Sequence, residues 1–203
     1  MYFQWRPYVP VAQRRVNAQQ QLPKRLKKGQ KPEPVVSAGR TIATSFWGKR
    51  WCEALDAMHD YANRLPRGRT YVRNGSVVHL AIEPGKVTAF VSGSELYEVS
   101  VTFDRLPSSR WKALAEGCRG RVRSAVDLLL GKLSRDVLDQ ITDAKLGLLP
   151  RQGEVKMRCS CPDYATMCKR VAAALCSVGA RLDSKPELLF VLRDVAVDDL
   201  FAG

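Results

Sequence analysis

The sequence predicts an α+β fold: an antiparallel β-meander packed with helices, followed by a small ββα zinc-finger module, with a flexible basic arm in front. Three observations carry this expectation. Apolar residues recur at helical spacing from Trp47 to Leu65. Residues 77–103 alternate at the two-residue period of strands, punctuated by turn signals. Three cysteines crowd into "CSCPDYATMCKR", Cys159–Arg170, at the spacing of metal ligands. With 203 residues, 45% of them hydrophobic, the chain can bury a sizeable core.

Residues 1–40 hold nine basic side chains against a single Glu33. Five prolines and the run Gln19–Gln20–Gln21 discourage packing there, so this stretch reads as a largely flexible basic arm that orders on a partner. Tyr2, Trp5 and Tyr8 argue against complete disorder of its first ten residues. A domain over 41–150 follows. Its first helix starts at Ser45, a good N-cap, and carries Trp47, Trp51, Leu55, Met58, Ala62 and Leu65 on one face until Pro66 stops it. "RNGS" at Arg73–Ser76 signals a hairpin turn, because Asn-Gly tolerates positive φ. "EPGK" at Glu83–Lys86 and "SGS" at Ser92–Ser94 mark further turns. Val78, Leu80 and Ile82 are expected on one face, as are Tyr97, Val99, Val101 and Phe103, in a sheet of about four strands. Helices are expected over 108–118 and 119–130, and again after Ser134, with Gly131 and Ser134 as C-cap and N-cap signals. The module over 151–203 begins with a strand at 154–160. It continues with a helix over 168–178 closed by Gly179, and ends in a helix near 186–192.

The formal net charge is +13. An excess of that size points to nucleic acid, or another anionic surface, as partner. No phosphate-cradling GxxxxGK[ST] and no dinucleotide GxGxxG is present, so nucleotide-hydrolysis and Rossmann chemistry are excluded. No small-molecule substrate is expected, and no membrane span. The N-terminus lacks the basic-then-apolar pattern of a signal peptide, which favours a cytoplasmic location with reduced thiols, nucleoid association being compatible with it. Cys52, Cys118 and Cys176 sit in apolar settings and read as small hydrophobes.

Cys159, Cys161 and Cys168 are the candidate metal ligands. Two sulfurs of a C-x-C can point inward together, and a cysteine at a helix start gains from the N-terminal field. A fourth ligand two residues later would close a tetrahedron, but Arg170 stands there and a guanidinium stays protonated. Cys176 lies about 12 Å along a helix from Cys168. His59, His79, Asp163 and water are the other candidates; each histidine more simply reads as a surface or half-buried residue, and Asp163 as a turn cap. Three thiolates alone still make a soft site. A metal-free finger held by the apolar face of its helix is the alternative. Catalysis by a cysteine needs a positioned base, and no histidine is joined to the cluster, so the chain reads as non-enzymatic.

"CSCPDYATMCKR" followed by "VAAAL" and "VGARLDSKPELLF", with "FWGKRWCEALDAMHDYANRLPRGRTYVRNGSVVHL" upstream, resembles the bacterial SWIM zinc-finger proteins associated with Swi/Snf-type helicase ATPases. The family pattern is C-x-C, a spacer, then C-x-H. Cys159, Cys161 and Cys168 match the first three zinc ligands and Arg170 takes the histidine position. The resemblance implies a zinc-bound ββα finger that binds DNA or proteins, acting as accessory to a Swi/Snf-type ATPase.

"NRLPRGRTYVRNG" carries Arg64, Arg67, Arg69 and Arg73 interleaved with Tyr71. Guanidinium forks suit phosphate and a tyrosine can stack on a base. Arg69, Tyr71 and Arg73 would share one strand face. Arg119, Arg121 and Arg123 form a second basic group. Lys156, Arg158, Lys169 and Arg170 form a third beside the finger. No base-reading code is evident, so nucleic acid binding is expected to be backbone-directed. A protein–protein adaptor is the competing class.

Overall fold

In the computed structural model, which describes residues 9–37, 39–58, 63–122 and 124–200, the alternating stretch forms three antiparallel strands. These are β1 (Val77–Glu83), β2 (Lys86–Ser92) and β3 (Leu96–Phe103). The Pro84–Gly85 connection turns with Gly85 at φ 66°, as "EPGK" requires. A fourth strand, β4 (Val155–Cys159), arrives from far downstream and pairs antiparallel with β3, giving the order β1-β2-β3-β4. The strand leading into the cysteines therefore completes the main sheet. The sequence placed it in a separate ββα unit, but here one strand, a loop and a helix carry the cluster.

Tyr97, Val99, Val101 and Phe103 are all buried on β3, as the alternation predicts. On β1 the period slips. Val77 pairs with Val91 and His79 with Phe90, so Val78 is an extra residue in a β-bulge. Val77 and Leu80 face the main core, while Val78 turns to the opposite face with Phe90 and Leu96. The expected single face of Val78, Leu80 and Ile82 is thereby corrected.

That second face is covered by the stretch read as a flexible arm. Helix α1 (Val11–Gln21) and a 3-10 turn at Leu22–Lys24 place Ala18 and Leu22 against Val78, Phe90 and Leu96. Farther on, Leu80 donates its N–H to the Glu33 carbonyl at 2.9 Å, and Val35 donates to Val77 at 3.1 Å. Apolar burial and borrowed β-pairing outweigh the prolines and charge, so residues 9–37 are built into the fold. His79 lies beneath them, 1% exposed. Its Nδ1 accepts from the Glu33 N–H at 3.0 Å and its Nε2 lies 3.2 Å from the Gln30 amide.

Helix α2 (Phe46–Asp56) starts where expected, with Ser45 Oγ accepting from the Gly48 N–H at 3.1 Å. It ends at Asp56, well before Leu65. Helix α3 (Leu65–Arg73) then begins with Pro66 in its first turn, where a missing N–H costs nothing. Pro66 opens a helix instead of stopping one. Asn74 caps α3 and Gly75 takes φ 63°, so "RNGS" is a helix exit and not a hairpin. The shared strand face of Arg69, Tyr71 and Arg73 is lost with it, because this segment is helical.

Helices α4 (Ser108–Cys118), α5 (Ala125–Leu129) and α6 (Arg135–Ile141) follow. The expected helix over 119–130 is confined to α5. Gly131 at φ 66° and Ser134 at the N-cap punctuate as predicted. Helix α7 (Lys169–Leu182) is buried along most of its length, and α8 (Leu188–Leu192) closes the main elements. Gly179 lies inside α7, not at its end. A Cβ there would meet Cys52 Sγ at 2.9 Å, and one on Gly48 would lie 2.6 Å from the Gly179 carbonyl oxygen. A Cβ on Gly68 would lie 2.6 Å from the backbone carbon of Ala172. Both α2 and α3 thus approach α7 backbone to backbone. The Trp51 indole N–H donates to the Leu175 carbonyl at 2.8 Å and fixes the α2 crossing. One buried apolar cluster runs from Val35 to Leu200 and includes Cys168. Among the described residues no helix is long and apolar enough to cross a membrane. The expectations attached to Tyr2, Trp5, Tyr8, His59, Ala62 and Arg123 lie outside the described residues.

Two outcomes follow from this packing. Gly68→Val drives methyl groups into the α7 backbone and lowers unfolding free energy by about 1–3 kcal/mol or more, read from the urea midpoint. His79 is held neutral chiefly by burial, with Glu33 opposing and Arg181 reinforcing the lowered pKa. The unfolded chain therefore takes up a proton first. Stability is fully present above about pH 6.5 and declines as pH falls below it toward the lower folded-state value. His79→Asn flattens that acid limb in urea titrations run across pH.

Candidate metal centre and the basic surface around it

β4 delivers the first cysteine. Cys159 pairs with Val99 of β3, and Ser160 continues the contact: its N–H donates to the Glu98 carbonyl and its Oγ accepts from the Glu98 N–H, each at 2.9 Å. The chain then turns through Cys161, Pro162 and Asp163. Asp163 accepts from the Ala165 N–H at 3.2 Å and lies 3.6 Å from the Arg64 guanidinium. Met167 is buried and pins the end of the loop. Cys168 is the N-cap of α7, fully buried, so its sulfur lies at the helix start.

The three sulfurs converge within 4.8 Å of one another, with Cys161 and Cys168 3.6 Å apart. Tetrahedral zinc with Zn–S near 2.3 Å sets sulfurs about 3.8 Å apart, so the cluster fits a zinc-sized ion with little adjustment. The thiol of Cys168 is drawn down to about 5, first by a hydrogen bond from Cys159 and then, against burial, by the backbone N–H groups of Val171 and Arg170. The partner thiol of Cys159 is pushed up, chiefly because it donates to Cys168. The helix N-terminus thus favours the thiolate form at Cys168. The others give up protons when a metal binds, which makes affinity rise with pH.

Among the described residues no fourth ligand joins the three. Asp163 is engaged by Arg64 and Ala165. Cys176 is buried, and that desolvation, with Cys52 nearby adding to it, raises its thiol to about 12. His79 faces the opposite side of the sheet. Arg170 is 7% exposed, so it does not present its charge at the surface. Its guanidinium lies 3.9 Å from the centroid of the Tyr97 ring, and its Nε has no hydrogen-bond partner among the described residues. Gly93 leaves room for it, since a Cβ there would stand 3.1 Å from Nη2. Tyr97 shares a sheet face with Val99 and hence with Cys159. Three thiolates around a divalent ion carry one net negative charge, and Arg170 supplies an equal positive charge in the same layer. From the sequence, the same charge reads two ways: it favours thiolates, yet it repels a dication and fills the ligand volume.

The basic surface is more compensated than the sequence implies. Arg69 binds Asp56 at 2.6 and 2.7 Å, and Arg73 Nε donates to the Arg40 carbonyl at 2.8 Å. Arg121 pairs with Asp136, Arg119 with Glu116 at 3.0 Å and Lys156 with Asp104 at 3.0 Å. Tyr71 is half-buried and packs on the core. Arg67 and Arg158 are exposed and Lys169 is partly so, beside the cysteine loop. Among the described residues, the aromatic that faces solvent is one the sequence did not single out: Tyr164, midway along the loop, is fully exposed. Its only signal was its place between the second and third cysteines.

Removing one thiol tests the assembly. Cys161→Ser lowers the metal retained after dialysis against apo buffer, read by elemental analysis, and lowers the unfolding temperature with it. Arg170→His increases retained zinc, because imidazole can ligate where guanidinium cannot.

No protein-family model and no solved structure matches the chain. The uncharacterized protein Rv2102 of Mycobacterium tuberculosis (strain ATCC 25618 / H37Rv) is 32% identical over 165 residues, which cover 80% of this chain. The matched stretch spans 59% of that relative's length, so the chain corresponds to less than two thirds of it.

Proposed function

We propose that this chain is a non-enzymatic nucleic-acid-binding protein of the SWIM zinc-finger type, holding zinc through Cys159, Cys161 and Cys168. It acts as accessory to a Swi/Snf-type helicase ATPase. The observation that carries the binding reading is the net charge of +13 on a chain of 203 residues. The convergence of three sulfurs at near-tetrahedral spacing supports the zinc assignment. A purely structural role for the thiols is supported by their surroundings: among the described residues the only histidine, His79, lies on the other face of the sheet, where it cannot serve them as base. Of the expected nucleic-acid contacts, Arg67 and Lys169 are best placed to meet phosphate. Arg64, Arg69 and Arg73 would do so while keeping acidic or carbonyl partners, and Arg170 acts inside the fold.

A second reading, a protein–protein adaptor, is favoured by the acidic partners of so many arginines. It is also favoured by a groove of about 610 Å³ between α4 and α6, with an apolar floor at Ala113, Leu114 and Leu146 and an acidic rim at Asp136, Asp139 and Asp143. The two readings separate in a salt series. Backbone-directed binding of duplex DNA falls with log salt at a slope of about −0.9 per phosphate neutralised. Fluorescence anisotropy on the full chain between low and physiological salt gives that slope. No binding at low salt, with co-purification of an ATPase that survives nuclease, establishes the adaptor instead.

A further inference from the structure

We infer that Tyr164 is a base-stacking residue, and that the nucleic acid met by the cysteine loop is single-stranded. This rests on the nucleic-acid reading above and sharpens it. Among the described aromatic residues, all but one are buried or half-buried in the fold. Tyr164 alone has a relative exposure of 102%, so its ring touches almost nothing. Fraying does not account for this. The loop is tied at both ends by Cys161 and Cys168, in the middle by the Asp163–Arg64 ion pair, and near its end by buried Met167. With the backbone tied, binding has only the two side-chain torsions of this ring left to order, a small cost for a large contact area.

The surroundings select the ligand. Arg64 reaches the loop directly. Arg67 lies one turn along the same helix, and Lys169 follows Cys168 immediately. The acid within the loop, Asp163, is already engaged by Arg64, and neighbouring Glu98 is engaged by Arg25 at 3.3 Å. A solvent-facing aromatic next to the Arg64–Asp163 pair, with Arg67 and Lys169 on the two helices that meet the loop, matches a backbone with accessible bases. In a duplex the base faces are covered by their neighbours, so a ring projecting outward finds a partner only on an unpaired base. Sequence preference is expected to be weak, because every base offers a π-face.

The test uses the full chain with a fluorescent 15-nucleotide oligothymidylate and a duplex of equal length. Tyr164→Ala is expected to weaken binding to the single strand on the order of tenfold, with duplex binding little changed. Tyr164→Phe, which keeps the ring, retains single-strand affinity. Because the side chain makes no internal contact, neither variant is expected to shift the unfolding temperature. Equal affinity of Tyr164→Ala and the unaltered chain for the oligothymidylate overturns the stacking role while leaving the nucleic-acid reading standing. Failure of the unaltered chain to bind either oligonucleotide at low salt overturns both. A loss that Phe does not rescue places the contact on the hydroxyl and overturns stacking.

Discussion

Everything around the cysteine cluster depends on how closely two helices can approach α7. A helix surrounded on several sides is normally held off by side chains, at interaxial distances of about 8–10 Å. Here Gly48 meets Gly179, and Gly68 meets Ala172, so backbones touch where side chains would otherwise intervene. That closeness fixes both ends of α7. Its first turn brings Cys168 and two backbone N–H groups to the thiols. Just past its last turn, Asp183 accepts hydrogen bonds from the N–H and hydroxyl groups of Thr44 and Ser45, organising the start of α2. Burial works against the charge on Asp183, and these bonds more than restore it, holding its carboxyl below the usual range. The metal centre and the entry to α2 are therefore opposite ends of one rigid rod.

β4 is held in the same two-ended way. Its last residue is Cys159, with Cys161 just beyond, and Glu154 precedes its first. Glu154 accepts from Arg110 at 2.9 Å and from Arg193 at 2.8 Å, and Arg193 is completely buried. Burial would raise the Glu154 carboxyl, but the charge of Arg193 leads the effects that bring it below its ordinary value. A buried pair of this kind adds little net stability by itself. Its effect is positional, since removing Glu154 would strand the Arg193 charge inside the protein, whereas Glu154 keeps Arg110 when Arg193 is removed.

Local patterns in the sequence were readable where one residue's neighbours along the chain decide its conformation. The meander, the Ser45 cap, the "EPGK" turn and the three-cysteine spacing belong to this group. Misreadings arose where one signal has two physical meanings. Asn-Gly supplies positive φ to a hairpin and equally to a helix exit, and Pro66 suits a first turn as well as it breaks a later one. The remaining gaps were matters of distance along the chain. Nothing near Arg170 announces that Tyr97 will receive it, nothing near Val155 names β3 as its neighbour, and the burial of Ala18 and Leu22 is decided by a bulge at Val78. The basic patches were legible as charge but not as free charge, because their acidic partners lie elsewhere in the sequence.

The pairing of β3 with β4 also sets an order of events during synthesis. Contacts between residues far apart in sequence are slow to form, and a growing chain folds from its N-terminal side. When β1–β3 have left the ribosome, the apolar sides of α2, α3 and the sheet still lack α7. The edge of β3 remains open as well. The last third of the chain must therefore emerge before the earlier parts can close. Until then the nascent protein presents an uncovered half-core.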